Sequence, residues 1–217
     1  MINLDIRPDR LESFMKRAQE QNLEVTRFTA IDGVNVDKNN IPYPPDIRPN
    51  KRRPTNYEDM SRGQVACALS HLALMESCED INFVFEDGAI FSDQFQEMAN
   101  KYFKEVNFTK DCHLVMFGHD QATAHGSPIR TPTWNLHAYA YDKVFAKDFI
   151  QHIHNYGLFC LDINLIEFMY RYPWYRVMRG QPSEADKEKY NINPTAHRDG
   201  GLVYQDAGLG SDIGRGV

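Results

Sequence analysis

Ile81-Asn82-Phe83-Val84-Phe85-Glu86-Asp87-Gly88-Ala89-Ile90-Phe91-Ser92-Asp93 is the stretch on which the reading of the whole chain turns. Phe83, Val84 and Phe85 are bulky and strand-favouring with no polar residue between them, the pattern of a strand buried on both faces of a parallel sheet. Glu86 and Asp87 follow at its carboxyl end, where open α/β sheets bind ligands. Two carboxylates there suit a hard divalent cation held against a diphosphate. Taken alone, the pair also suits an ordinary turn or helix cap.

Upstream, Ser61 with Gln64 three residues later is a capping-box signature opening a helix through about Cys78. Val65, Leu69, Leu72 and Met75, joined by Ala66, Ala68 and Ala73, make it apolar on nearly every side. Such a helix packs beneath other elements and carries Ser70 and His71 inside or at a cleft edge. A core histidine satisfied by its neighbours is as good a reading of His71 as a ligand-binding one. Asn35 to Asp59, broken by Pro42, Pro44, Pro45, Pro49 and Pro54, reads as a long surface loop of the kind that contacts substrate. Met1 to Ile6 reads as a first strand, and Pro8-Asp9 opens a helix with Leu11, Phe14, Met15 and Ala18 on one face. Val25 to Ala30 is a second strand, closed by Asp32-Gly33.

Downstream, Asp93 can cap a helix carrying Phe95, Met98, Ala99, Tyr102 and Phe103, and His113 to Phe117 is another buried strand. Residues 119–135, with Gly126, Pro128 and Pro132, read as a second long loop. Leu136 to Tyr141 is a strand candidate, followed by a helix capped by Asp142. Asp162 is read as the N-cap of a further helix bearing Leu165, Ile166, Met169 and Tyr170. Trp174 to Met178 suits a last short strand, Gln181 to Asn193 a charged surface segment, and the glycine-rich end, Gly200 and Gly201 included, a loop. The alternation predicts a single α/β domain over 1–217 with a mostly parallel sheet and helices on both faces. Its strands lie near 1–6, 25–30, 82–86, 113–117 and 137–141.

The 217 residues are 42% hydrophobic and 25% charged, enough for one sizeable core. A net charge of −6 argues against nucleic acid as a partner, and the short Lys51-Arg52-Arg53 cluster does not change that. No run is long enough for a transmembrane helix and no leader precedes Ile2, so a soluble, cytoplasmic protein is expected. Cys67, Cys78, Cys112 and Cys160 show no Cys-x-x-Cys spacing, which favours reduced thiols over disulfides or zinc. The absence of Gly-x-Gly-x-x-Gly after any strand disfavours a dehydrogenase.

Several fragments in colinear order resemble glycosyltransferase family 25, the lipooligosaccharide-type galactosyltransferases and their collagen-modifying relatives. Asn3-Leu4-Asp5-Ile6-Arg7-Pro8-Asp9-Arg10 is similar to the family's opening Asn-Leu-Asp-x-Arg-x-Asp-Arg, and Ala30-Ile31-Asp32-Gly33 to its Ala-x-Asp-Gly. Gly63 to His71 resembles its Gly-Cys-Ala-x-Ser-His helix with one inserted residue, and Phe85-Glu86-Asp87 its acidic strand end. Ala138 to Tyr141 resembles its Gly-Tyr-x-x-Ser strand, Asp162 its later lone Asp, and Gln205 with Ser211-Asp212-Ile213 its closing residues.

The resemblance implies a Rossmann-like, GT-A type transferase that moves a sugar from a nucleotide sugar to a saccharide or hydroxylated acceptor with inversion. A UDP-sugar is the implied donor and galactose the candidate sugar. It places Mn2+ or Mg2+ on Glu86 and Asp87. Asn3, Asp5, Arg7, Arg10, Asp32, Ser70 and His71 become nucleotide-binding positions, and Asp162 the catalytic base. Sugar transfer expels a diphosphate, so positive charge at the leaving group and a base at the acceptor hydroxyl are what the chemistry needs. One departure bears on this: the family motif reads Glu-Asp-Asp, and the third position here is Gly88. An active transferase with altered metal dependence and a non-catalytic nucleotide-sugar or glycan binder both remain open.

Overall fold

The computed structural model describes residues 1–45, 60–93, 95–120, 136–172, 177–179 and 199–206. Ile2–Asn3 (β1) leads into Pro8–Glu20 (α1), whose proline in the first turn gives up a backbone N–H that would lack a helical partner anyway. Phe28–Thr29 (β2) returns beside β1 in parallel, Ile2 opposite Phe28. The capping box forms: the Gln64 amide donates to Ser61 Oγ at 3.1 Å and the Ser61 amide to Gln64 Oε1 at 2.8 Å, starting Arg62–Glu76 (α2). Ile81–Phe85 (β3), Ala89–Phe91 (β4) and Phe95–Glu105 (α3) follow. Next come Leu114–Met116 (β5), Gly118–Asp120 (β6) and Ala138–Asp142 (β7). Asp142 Oδ1 accepts from the Phe145 amide at 3.0 Å and caps Lys143–Tyr156 (α4). Leu161–Arg171 (α5), Val177–Arg179 (β8), Asp199–Gly201 (β9) and Val203–Gln205 (β10) complete the order.

The central sheet runs β3-β7-β5-β8, and β1 reaches the end of β3 through a single parallel bridge, Ile2 to Glu86. The expected mostly parallel sheet needs correction at β7. It is antiparallel to both β3 and β5, while β5–β8 and β1–β2 are parallel. Thus β1, β2, β3, β5 and β8 share one direction and β7 is inserted in reverse, so the pairings within the four-stranded sheet are mostly antiparallel. The fold is mixed α/β.

Alternation of side chains along the strands separates two apolar layers. Tyr139, Tyr141, Leu114, Met116 and Val84 face Leu72 of α2, Phe145 of α4 and Phe168 of α5. Ala138, Ala140, Val115, Phe117 and Phe85 face Phe14 of α1 and Phe95 and Met98 of α3. Helices therefore cover both sides, as expected. The first half of β3 is not buried on both faces, for Phe83 remains 48% exposed and rests edge-on against Phe103.

Three further readings are corrected. Phe91 and Ala89 belong to β4, which pairs antiparallel with β10, so the glycine-rich end is strand rather than loop at 199–205. Residues 119 and 120, expected at the start of a loop, continue from Gly118 as β6 and pair with β9. The N-cap of α5 is Cys160, not Asp162. Asn164 reaches back to satisfy that turn, accepting from the Phe159 amide at 2.8 Å and donating to the Gly157 carbonyl at 3.0 Å. The rest of the two expected loops, 46–59 and 121–135, Lys51-Arg52-Arg53, most of Trp174–Met178, Gln181–Asn193 and Ser211-Asp212-Ile213 lie outside the described residues. Among the described residues all four cysteines are free thiols, and no helix is long and apolar enough to cross a membrane.

Candidate functional site

Because β2, β1 and β3 run the same way, their carboxyl ends deliver Ala30–Gly33, Asn3–Leu4 and Glu86–Asp87 to one edge of the sheet. Helix α2 forms the facing wall, where Gly63, Ala66, Cys67, Ser70 and His71 recur at helical spacing on one side. A cleft of about 120 Å³ opens between these walls, with Arg10 and Gln205 completing its rim. Ligand clefts at the carboxyl ends of strands are the rule for open α/β sheets, and the small side chains of Gly63 and Ala66 leave the room.

Seven expected site residues line this cleft: Asn3, Arg10, Asp32, Ser70, His71, Glu86 and Asp87. Their side chains differ in what they leave for a ligand. Asn3 is buried and occupied on both ends, its Nδ2 donating to Asp87 Oδ2 at 2.8 Å and its Oδ1 accepting from Arg27 Nε at 3.0 Å. Ser70 ties α2 to the loop after β2, donating to the Ala66 carbonyl at 2.8 Å and accepting from the Ile31 amide at 2.9 Å. Asp32 Oδ1 accepts from the Val34 amide at 3.1 Å, holding the turn that shapes the rim. Two of the expected nucleotide-binding residues lie away from the cleft lining. Exposed Asp5 pairs with Arg27, and Arg7 grips Asp9 through Nε at 3.0 Å and Nη2 at 2.8 Å.

The two acidic residues at the end of β3 point to different partners. Asp87 Oδ1 meets Arg10 Nη1 at 3.0 Å while Oδ2 accepts from Asn3, and Arg17 Nη2 donates to the Asp87 carbonyl at 3.1 Å. Burial pushes the Asp87 carboxyl up, against the pull of Asn3 and Arg10. Glu86 Oε1 instead lies 3.3 Å from His71 Nε2 and 4.0 Å from Cys67 Sγ. Burial would raise the Glu86 carboxyl, but the hydrogen bond from His71 and the electrostatic pull of His71, His137 and Arg10 around it outweigh that, and it ends below its ordinary value. His71 is fixed from its other side, with Nδ1 2.6 Å from Tyr139 Oη. With Glu86 ionised, the consistent tautomer has His71 Nε2–H donating to Glu86 and Tyr139 O–H donating to Nδ1.

This arrangement does not suit Mn2+ or Mg2+ on Glu86 and Asp87. A hard cation needs several converging oxygens. Here both Asp87 oxygens are engaged by nitrogen donors, Gly88 adds none, and the neighbours of Glu86 are a thiol and an imidazole. The Gly88 turn itself is ordinary, since its φ is not positive and a Cβ there would meet Arg10 Nη2 and Gln205 Cγ no closer than 3.8 Å.

Asp162 is not a lining residue. It sits half-buried in the first turn of α5, its Oδ1 accepting from the Ile163 amide at 2.9 Å. Burial first, and the Glu86 charge as well, push its carboxyl up. Sequence reasoning missed Cys67, Tyr139 and Arg17 as site residues. The i, i+4 spacing of Cys67 and His71 was a usable signal for the first, whereas nothing local to Tyr139 or Arg17 announces a contact 68 or 70 residues away.

Residues 1–131 match the family model described as glycosyltransferase family 25 (LPS biosynthesis protein). Over 124 residues the chain is 27% identical to procollagen galactosyltransferase 2 of Mus musculus, covering 54% of this chain and 20% of that protein. It is 25% identical over 134 residues to a glycosyltransferase 25 family member of Drosophila pseudoobscura pseudoobscura, covering 59% and 21%. A glycosyltransferase 25 family member of Anopheles gambiae is 28% identical over 124 residues, covering 54% and 21%. The chain spans about a fifth of the length of these relatives. The matched region holds every cleft residue named above except Gln205, and it stops short of Asp162.

Proposed function

Since the chain belongs to glycosyltransferase family 25, we propose that it transfers a sugar from a UDP-sugar to a saccharide or hydroxylated acceptor, with inversion. Galactose is the sugar proposed, because relatives bear the name galactosyltransferase. The observation that carries this reading is the convergence of motif residues from four separate segments, Asn3 and Arg10, Asp32, Ser70 and His71, and Glu86 and Asp87, on one cleft.

In the reaction the acceptor oxygen attacks the anomeric carbon, the bond to the diphosphate breaks, and the acceptor proton passes to a base. Arg10 is the cation on the cleft wall suited to the leaving diphosphate, and Asp87 with Asn3 holds it in orientation. Asp162 is the base in this scheme. A carboxyl raised by burial is a better proton acceptor than a solvated one, and Asp162 has one oxygen, Oδ1, on the Ile163 amide. No step is assigned to a metal on Glu86 and Asp87. A second reading, a nucleotide-sugar binder with impaired catalysis, is favoured by one observation: with Gly88 in the acidic motif, both Asp87 oxygens are already engaged.

The test is a calorimetric panel of nucleotide sugars on the chain and on Asp162→Asn, with transfer followed across an acceptor panel. UDP-galactose should bind both proteins equally. Transfer by Asp162→Asn should fall about 10²- to 10⁴-fold. In the unmodified protein kcat/KM should rise with pH through the elevated Asp162 value, since the base works deprotonated, and that limb should vanish in the variant. Binding without transfer selects the second reading, and binding of no nucleotide sugar removes both.

A further inference from the structure

The transfer scheme leaves unused three side chains that meet at the inner end of the cleft. Cys67 Sγ, His71 Nε2 and a Glu86 oxygen all lie within 4.8 Å of one another, a grouping of metal-ligand types found once among the described residues. We propose that Cys67, His71 and Glu86 bind a borderline divalent ion of the Zn2+ type, with the fourth coordination position open to the cleft. This inference stands apart from the transferase reading, because it concerns what the three side chains bind and not what the cleft turns over.

The donor set decides the class of ion. One sulfur, one imidazole nitrogen and one carboxylate oxygen suit Zn2+ or Co2+, whereas Mn2+ and Mg2+ favour oxygen. Geometry agrees. Tetrahedral zinc with Zn–N and Zn–O bonds of about 2.0 Å has an N to O edge of about 3.3 Å, and His71 Nε2 lies 3.3 Å from Glu86 Oε1. The corresponding S to O edge is about 3.5 Å for a Zn–S bond of about 2.3 Å, against 4.0 Å between Cys67 Sγ and Glu86 Oε1. Binding would draw the Cys67 sulfur about 0.5 Å toward Glu86.

The ligands are also held in advance. Cys67 and His71 occupy successive turns of one face of α2, and Glu86 is fixed at the end of β3 by its amide, which donates to the His137 carbonyl at 2.8 Å. Tyr139 Oη grips His71 Nδ1 at 2.6 Å, the outer contact that orients a ligating imidazole. All three side chains line the cleft, so a fourth ligand such as water or a phosphate oxygen has access. On binding, the Cys67 sulfur exchanges its proton for the metal, and that proton leaves to solvent. The His71 proton moves from Nε2 to Nδ1, which then donates a hydrogen bond to Tyr139 Oη as the tyrosine O–H turns away from the ring.

Co2+ titration of the purified chain tests this directly, because cobalt bound to thiolate gives a charge-transfer band in the near ultraviolet. The band should appear at one ion per chain, disappear on adding Zn2+, and survive excess Mg2+ or Mn2+. It should be absent in Cys67→Ser, weakened in Glu86→Gln, and retained in Cys160→Ser, a neighbouring thiol outside the cluster. Circular dichroism identifies any variant that fails to fold. Calorimetry of Zn2+ on the unmodified protein, which needs no variant, should show saturable one-site binding with proton release. Absence of Zn2+ binding, persistence of the cobalt band in folded Cys67→Ser, or displacement of Co2+ by equimolar Mn2+ would overturn the assignment.

Discussion

Gly88 occupies the third position of the acidic motif Glu86-Asp87-Gly88, and its surroundings permit a carboxylate there. Its φ is not positive and a Cβ would stand at ordinary van der Waals distance from Arg10 and Gln205, so neither backbone strain nor collision requires glycine. Gly88→Asp should therefore fold with a stability change of about 1 kcal/mol or less. The new carboxylate would compete with Asp87 for Arg10 and add a hard oxygen donor beside Glu86. We expect Mn2+ affinity, measured calorimetrically, to rise about tenfold or more over the unmodified chain, a gain of about 1.4 kcal/mol. Unchanged Mn2+ binding in a folded variant would mean that the third carboxylate was not the missing element.

Helix α2 and strand β3 are the elements that build the site, and each does so through its end. The reciprocal Ser61–Gln64 cap fixes where α2 begins and hence which residues face the cleft one, two and three turns later. Ser61→Ala should cost about 0.5–2 kcal/mol, a fall in melting temperature of about 2–4 °C per kcal/mol for a chain of this size. Ser61→Asp, which also caps, should recover most of the loss. An unchanged melting temperature in Ser61→Ala would show that packing against α4 alone sets the start of α2. Strand β7 acts differently. Its reversed direction puts Tyr139 beside Val84 and within reach of His71, and its alternation of Ala and Tyr serves both apolar layers at once.

Across the whole molecule, residues 199–206 brace the sheet instead of trailing from it. Leu202 and Val203 are fully buried, the amide of each donates to the Phe117 carbonyl, at 2.7 and 3.0 Å, and Gln205 reaches the cleft rim. Leu202→Ala should thus lose about 2–5 kcal/mol, read as a lower urea midpoint, where a merely draped tail would change it by about 0.5 kcal/mol or less. Local chemistry announced much of this molecule. The capping box of Ser61 and Gln64, the Asp142 cap, the apolar periodicity of α1 and α3 and the buried run ending in Glu86-Asp87 are properties of neighbouring residues, so the sequence by itself determined the helices, the strands β1, β2, β3, β5 and β7, and that the helices cover two faces. The motif fragments likewise determined the family. Strand direction is different, because a buried strand shows the same side chains whichever way it runs, and only the assembled sheet decided that β7 is reversed. The same holds for β9 and β10: glycines at 200 and 201 weaken any local strand signal in β9, and pairing of β9 with β6 and of β10 with β4 supplies the order that the segment lacks alone. The partners of Glu86 and Asp87 were also beyond local reading. Adjacent in sequence, they point to opposite walls, one to the thiol and imidazole of α2 and the other to the guanidinium of α1, because only the packing of those helices on either side of β3 decides which charge each carboxylate meets.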